Sequence, residues 1–179
     1  WAAENLYHLS SRAFHRHGTV SQVEFTGSNR PTLMHWTMPT PITAKGIPNV
    51  VTVHDIIPIK LPYTTDTNRE RYYNLVSSST SRSDLIIAVS EASKRDLIDV
   101  FNIDESRIDV TYQSIDPNDY IIFNEDIRTP DIIESSFSLE WKDYLLYFGA
   151  FEPKKNIGRI VESYLSANTK SKLILAGAP

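Results

Sequence analysis

A chain of 179 residues, 41% hydrophobic and 22% charged, has the composition of a soluble globular protein and the length of one domain or two small ones. Its net charge of −4 argues against a general nucleic-acid binder, which needs excess Lys and Arg to meet the phosphates. The absence of cysteine excludes disulfides and thiolate metal sites and fits a reducing compartment.

The first 30 residues carry little pattern. Trp1, Leu6, Leu9, Ala13 and Phe14 fit one helix face, and Arg12, His15, Arg16 and His17 make its far end basic. A solvated helix end accounts for these cations; a membrane-surface or acceptor contact is the alternative. No carboxylate or cysteine sits at ligand spacing from the histidines, so no metal site is expected. The longest pure apolar run, Leu85 to Val89, is too short to span a bilayer, and no signal-peptide pattern is visible.

A series of strands follows, each ending in a polar or small residue. Asn49 to Val53 is β-branched and runs into His54-Asp55; Asp84 to Val89 runs into Ser90; Arg107 to Tyr112 ends near Gln113-Ser114. Helices are predicted between them, from Asn68 to about Ser81 and from Ser90 to Phe101. Ser90 suits an N-cap, and Glu91 suits the first turn, where the helix dipole favours an anion. Near-continuous apolar strands alternating with helices imply an α/β fold with a parallel sheet covered on both faces. Pro117, Asn118 and Asp119 read as a turn, and Pro130 as the first helical position of a further helix. The segment from Asp116 to Trp141 reads as the crossing between two α/β units.

Tyr144 to Gly149 then reads as a buried strand, Asn156 to Asn168 as a helix with Ile157, Ile160, Val161, Tyr164 and Leu165 on one face, and Lys172 to Ala176 as a second strand. One such βαβ unit cannot bury both faces of its sheet alone, so the chain is expected to stop partway through a domain. Lys154 and Lys155 fall at the predicted helix start, where the dipole disfavours cations. An anion, phosphate above all, would resolve that conflict; a surface position offset by Glu152 is the plainer explanation.

In open parallel sheets, ligands gather beyond the carboxyl ends of the strands. This chain places His54-Asp55, Ser90-Glu91, Gly149 with Glu152, Lys154 and Lys155, and Gly177 there. His54 is the strongest single candidate, because a neutral imidazole can donate or accept near pH 7; it can equally satisfy backbone groups at a strand end. Asp55 orients His54 or, more simply, caps the following turn. Gly149 permits either a close ligand approach or a tight turn. Neither a P-loop nor a G-x-G-x-x-G fingerprint is present.

The string from Tyr144 to Tyr164, YLLYFGAFEPKKNIGRIVESY, resembles the opening of the donor domain in retaining glycosyltransferases of the GT-B fold, the group-one family (family four). NVVTVHDIIPIKLP from Asn49 and SDLIIAVSEASKRDL from Ser83 resemble its acceptor domain, and IDVTYQSID from Ile108 the stretch that closes that domain. The four strings come in the family's order, the resemblance covers residues 31 to 179, and the nearest variety is mannosyltransferase-like.

The resemblance implies two Rossmann-like domains, both incomplete here. Residues 1–117 would be the acceptor-binding domain, truncated at its start; 118–179 would hold the interdomain crossing and the first βαβ unit of the donor domain. It implies His54 at the reaction centre, and Gly149, Lys154 and Lys155 on the nucleotide-sugar donor; Asp55, Ser90 and Glu152 are supporting candidates from their strand-end placement alone. No metal or other cofactor is implied. The implied reaction moves a hexose, such as mannose, to a growing glycan or lipid-linked glycan with retention, in the cytoplasm or at the inner membrane face, with no nucleic-acid partner. Three departures stand out: Ala150 replaces the arginine that many relatives carry after the glycine, the family's paired glutamates would lie beyond Pro179, and the first strand with its glycine-bearing loop would precede Trp1. On this reading the segment alone would be inactive. The alternatives are a sugar-nucleotide epimerase of the same fold and a non-catalytic binding or assembly module.

Overall fold

A computed structural model describes residues 5–116 and 129–178. They divide into two compact units, one running up to Pro62 and resuming over Asp66–Gln113, the other comprising Tyr63–Thr65 and the chain from Ser114 onward. The first opens with helix α1 (Leu6–His17) and three short strands, β1 (Ser21–Val23), β2 (Met34–Trp36) and β3 (Ile42–Ala44). Strand β4 (Asn49–Val53), helices α2 (Ile57–Lys60) and α3 (Arg69–Ser81), strand β5 (Leu85–Ala88), helix α4 (Glu91–Phe101) and strand β6 (Ile108–Val110) follow.

The main sheet has the order β2-β4-β5-β6, and every pair in it is parallel. All five residues of β4 are buried, so neither face of the sheet is open there, as the unbroken apolar run predicts. The core gathers Val51 and Val53 of β4, Ile86 and Ala88 of β5, Ile108 of β6, Val76 of α3 and Leu97 of α4. Helix α3 is capped by Asn68, whose side chain accepts from the Arg71 N–H, and α4 by Ser90, whose hydroxyl accepts from the Ser93 N–H. Both predicted helix starts are thus explained by a side-chain cap.

Beside the main sheet, β1 and β3 form a separate parallel pair. Asn49, at the start of β4, joins the two sheets. Its side-chain carbonyl accepts from the Ala44 N–H at 2.8 Å and the Trp36 indole N–H at 3.0 Å. Its amide donates to the carbonyls of Ala44 at 2.8 Å and Ile47 at 3.0 Å. Its backbone N–H donates to the Asp84 carboxylate at 2.7 Å, and its carbonyl accepts from the Asp84 N–H. Asn49 is only 6% exposed, so these partners satisfy a polar group that water barely reaches. Arg107 performs a similar service further along, donating to the carbonyls of Thr80 in the last turn of α3 and Ser83 just past it.

The second unit contains helix α5 (Thr129–Phe137), strand β7 (Tyr144–Phe148), helix α6 (Ile157–Ser166) and strand β8 (Lys172–Ala176), with β7 and β8 parallel. This is the expected βαβ unit. Five readings need correction. Strand β7 is not buried: Leu146 is 59% and Phe148 84% exposed, because one helix and one neighbouring strand cover little of it. Leu165 of α6 is likewise exposed, and so is Leu9 of α1, where Ser10 and Phe14 turn inward instead. The last predicted strand of the first unit shrinks to Ile108–Val110. Lys154 and Lys155 do not begin an α-helix; they close a separate 3-10 turn, Pro153–Lys155, and α6 starts only after Asn156 in a left-handed conformation (φ 51°). The two lysines thus precede the N-cap of α6 instead of occupying its first turn. The turn expected at Pro117 to Asp119, and Trp1 of the first helix face, lie outside the described residues.

Candidate functional site

The predicted site residues fall into two groups, each at the carboxyl edge of its own parallel sheet. In the first unit, β4 delivers His54 and Asp55, and β5 delivers Ser90. The His54 ring lies within hydrogen-bond distance of the Thr37 carbonyl, Nε2 to O 3.1 Å. A carbonyl can only accept, so Nε2 carries the proton, and in the neutral ring Nδ1 keeps its lone pair. Thr37 directly follows β2, so the imidazole is tied across neighbouring strand ends. The His54 carbonyl accepts from the Ser93 hydroxyl at 3.1 Å, and that hydroxyl also meets Ser90 Oγ at 3.1 Å. The carboxyl ends of β2, β4 and β5 are therefore bound to one another through His54.

Asp55 caps the next turn: its Oδ1 accepts from the Ile57 N–H at 2.9 Å. Its carbonyl accepts from the Tyr72 hydroxyl, also at 2.9 Å. Burial, with the Asp55 carboxylate nearby, pushes the Tyr72 phenol from 10.0 up to about 12. The folded state thus holds the Tyr72 proton more tightly than the unfolded chain does. Its contribution to stability is complete below about pH 10 and is lost as the pH rises from there through 12. Tyrosinate absorbance should show a late step near pH 12, and Tyr72→Phe should abolish it. A titration with no late step in the wild-type chain would refute the arrangement.

Sequence reasoning missed Thr37, Tyr72 and Ser93. Ser93 was open to discovery, since a serine three residues after an N-cap serine reaches the same helix end. Thr37 acts through its carbonyl and Tyr72 on a carbonyl, and such groups leave no mark on a sequence.

In the second unit, Gly149 directly follows β7 and Gly177 directly follows β8. Gly149 has φ 142°, a conformation side chains rarely tolerate. Its N–H donates to the Ala176 carbonyl at 2.9 Å, and the Phe151 N–H to Ala178 at 3.0 Å, so the ladder continues past the strand ends. A Cβ on Gly177 would lie 1.8 Å from the Gly149 carbonyl oxygen. The Tyr147 hydroxyl donates to the Ala150 carbonyl at 2.9 Å and fastens the loop from below. Beyond it, Lys154 pairs with Glu152 at 2.7 Å. Lys155 has no carboxylate partner among the described residues and lines a cleft of about 560 Å³ with Asn156 and Arg159. The cleft's other walls include Leu145, Ile160 and Tyr164. The structure therefore separates the two lysines: one is paired with its neighbour's carboxylate, and the other lines a cavity with no carboxylate partner among the described residues.

No group of three or more metal-ligating side chains occurs among the described residues. No helix among them is long and apolar enough to cross a membrane.

The profile of the family described as Glycosyltransferase Family 4 matches residues 10–119. Two relatives from Escherichia coli are similar to this chain. An O-antigen chain mannosyltransferase B is 32% identical over 133 residues, which are 72% of this chain and 34% of that protein. A serotype-specific mannosyltransferase WbdA is 24% identical over 127 residues, 69% of this chain and 15% of that protein. The chain thus spans about a third or less of the length of these relatives. The family match extends over more than half of the chain and takes in the strand ends that carry His54 and Ser90, and the chain belongs to glycosyltransferase family 4.

Proposed function

We propose that this chain supplies the acceptor side and the first donor-binding edge of a mannosyltransferase of the two-domain GT-B type, working in O-antigen-like polysaccharide assembly at the cytoplasmic side of the membrane. The observation that carries the reading is the His54 ring, held at the carboxyl edge by a backbone carbonyl with Nδ1 left to accept a bond. Both relatives named above are mannosyltransferases, which favours mannose as the sugar and a nucleotide-activated mannose as the donor.

In this reading the bond from the sugar C1 to the diphosphate oxygen breaks, and a bond from C1 to an acceptor hydroxyl oxygen forms on the same face. The hydroxyl proton passes to the departing diphosphate. Lys155 meets the negative charge that grows on that leaving group, and Nδ1 of His54 accepts a hydrogen bond from a sugar hydroxyl at the reaction centre. Catalysis is then positioning and charge stabilisation, with no metal ion required. Lys154, paired with Glu152, adds to the local field; Gly149 keeps the donor edge open to an approaching phosphate. Asp55 and Ser90 hold the frame.

The test is steady-state kinetics of the full-length protein with GDP-mannose and an oligomannoside acceptor. His54→Ala and Lys155→Ala should each lower kcat/KM by roughly tenfold or more, about 1.4 kcal/mol of transition-state stabilisation. Near wild-type turnover in both variants would sink the assignment. A free epimeric sugar nucleotide in place of a glycoside would replace it with an epimerase.

A further inference from the structure

A second, smaller cleft opens beside the His54 loop. It encloses about 340 Å³, and its walls include His15 of α1, Asp66, Asn68, Arg71, Tyr72 and Leu75. Its volume falls within the range of small-molecule sites, roughly 300–1,000 Å³. The lining differs from that of the larger cavity near the end of β1, whose walls include Leu6, Val23, Phe25, Met34 and Trp36.

Two features point to a ligand class. A saccharide hydroxyl both donates and accepts, so its recognition calls for acceptor-only and donor-only groups side by side. Asp66 supplies the first and Arg71 the second. No ion pair joins them to each other or to another residue among the described residues, so their bonding capacity is available. The Asn68 side-chain oxygen is spent on the Arg71 N–H, which leaves its amide to donate. The second feature is location. Tyr72, on the cleft wall, donates to the Asp55 carbonyl, so the cleft is fastened one residue away from His54.

We propose that this cleft is the subsite for the acceptor saccharide, with Asp66 and Arg71 as its specificity-determining residues. The inference rests on the glycosyltransferase reading above and adds which part of the chain holds the acceptor. Both side chains are exposed, so their replacement leaves the core untouched.

The experiment measures initial rates of the full-length protein against varied oligomannoside and, separately, varied GDP-mannose, for Asp66→Asn and Arg71→Ala. The expected result is an acceptor KM raised about tenfold or more in each variant, with the donor KM unchanged. Wild-type acceptor KM in both variants overturns the subsite while leaving the transferase reading intact. An equal rise in donor and acceptor KM overturns it too, as a loss of folding or domain geometry. Absence of glycoside formation by the wild-type protein overturns the transferase reading itself, and the subsite with it.

Discussion

Replacing Asn49 with aspartate is expected to destabilise the chain by about 3–4 kcal/mol at neutral pH, read as a lowered urea midpoint. The isosteric change converts an amide that donates to two carbonyls into a carboxylate oxygen aimed at them, at 2.8 and 3.0 Å. The new charge is buried, and the Asp84 carboxylate already accepts from the Asn49 N–H. The variant has a signature that simple loss of packing lacks. Its new carboxyl should stay protonated in the fold at a pH where the unfolded chain has released the proton. Its folded pKa is therefore raised, and its deficit should grow as the pH rises through that value. Asn49→Leu removes the same bonds without adding charge, so its loss should not follow that carboxyl titration. A midpoint for Asn49→Asp within experimental error of wild type would refute the account of how the two sheets are joined.

Gly177→Ala should undo the donor edge. The added methyl would stand 1.8 Å from the Gly149 carbonyl oxygen, and the obstructing atom is backbone rather than a side chain that can swing away. Relief requires the ends of β7 and β8 to part, breaking the Gly149-to-Ala176 and Phe151-to-Ala178 bonds. Amide exchange at Gly149 and Phe151 should accelerate by roughly tenfold or more, while exchange in β4 and β5 stays as it was. In the full-length protein the same change should reduce kcat/KM by about a hundredfold, near 2.7 kcal/mol, because it displaces the loop that leads to Lys155. Unchanged exchange at both amides would show that the strand ends tolerate a side chain.

Much of this architecture is legible in the residues. Strands β4, β7 and β8 and helix α4 stand out because their runs are long, apolar and bounded by caps or turns. Strands β1, β2 and β3 do not, since three residues each are too few to display a period of two, and they exist by pairing with distant partners. The lysine pair was legible as residues but not as geometry. The left-handed Asn156 cuts the 3-10 turn from α6, and asparagine's tolerance for that conformation was the available clue. Within the candidate site, His54, Asp55 and Ser90 were visible because side chains carry their chemistry. Several of the bonds that hold this region run to the carbonyls of Thr37, His54 and Asp55, which any residue type would offer.

That last feature bears on how such a site can change over generations. The loop after β4 is clasped through the His54 and Asp55 carbonyls by Ser93 and Tyr72. Both clasps grip peptide groups, so they survive whatever side chain stands at position 54. The scaffold can therefore sample new reacting groups at this exposed strand end without rebuilding the loop. Variation at Ser93 or Tyr72, which take no part in the proposed chemistry, would instead cost the loop one of its clasps.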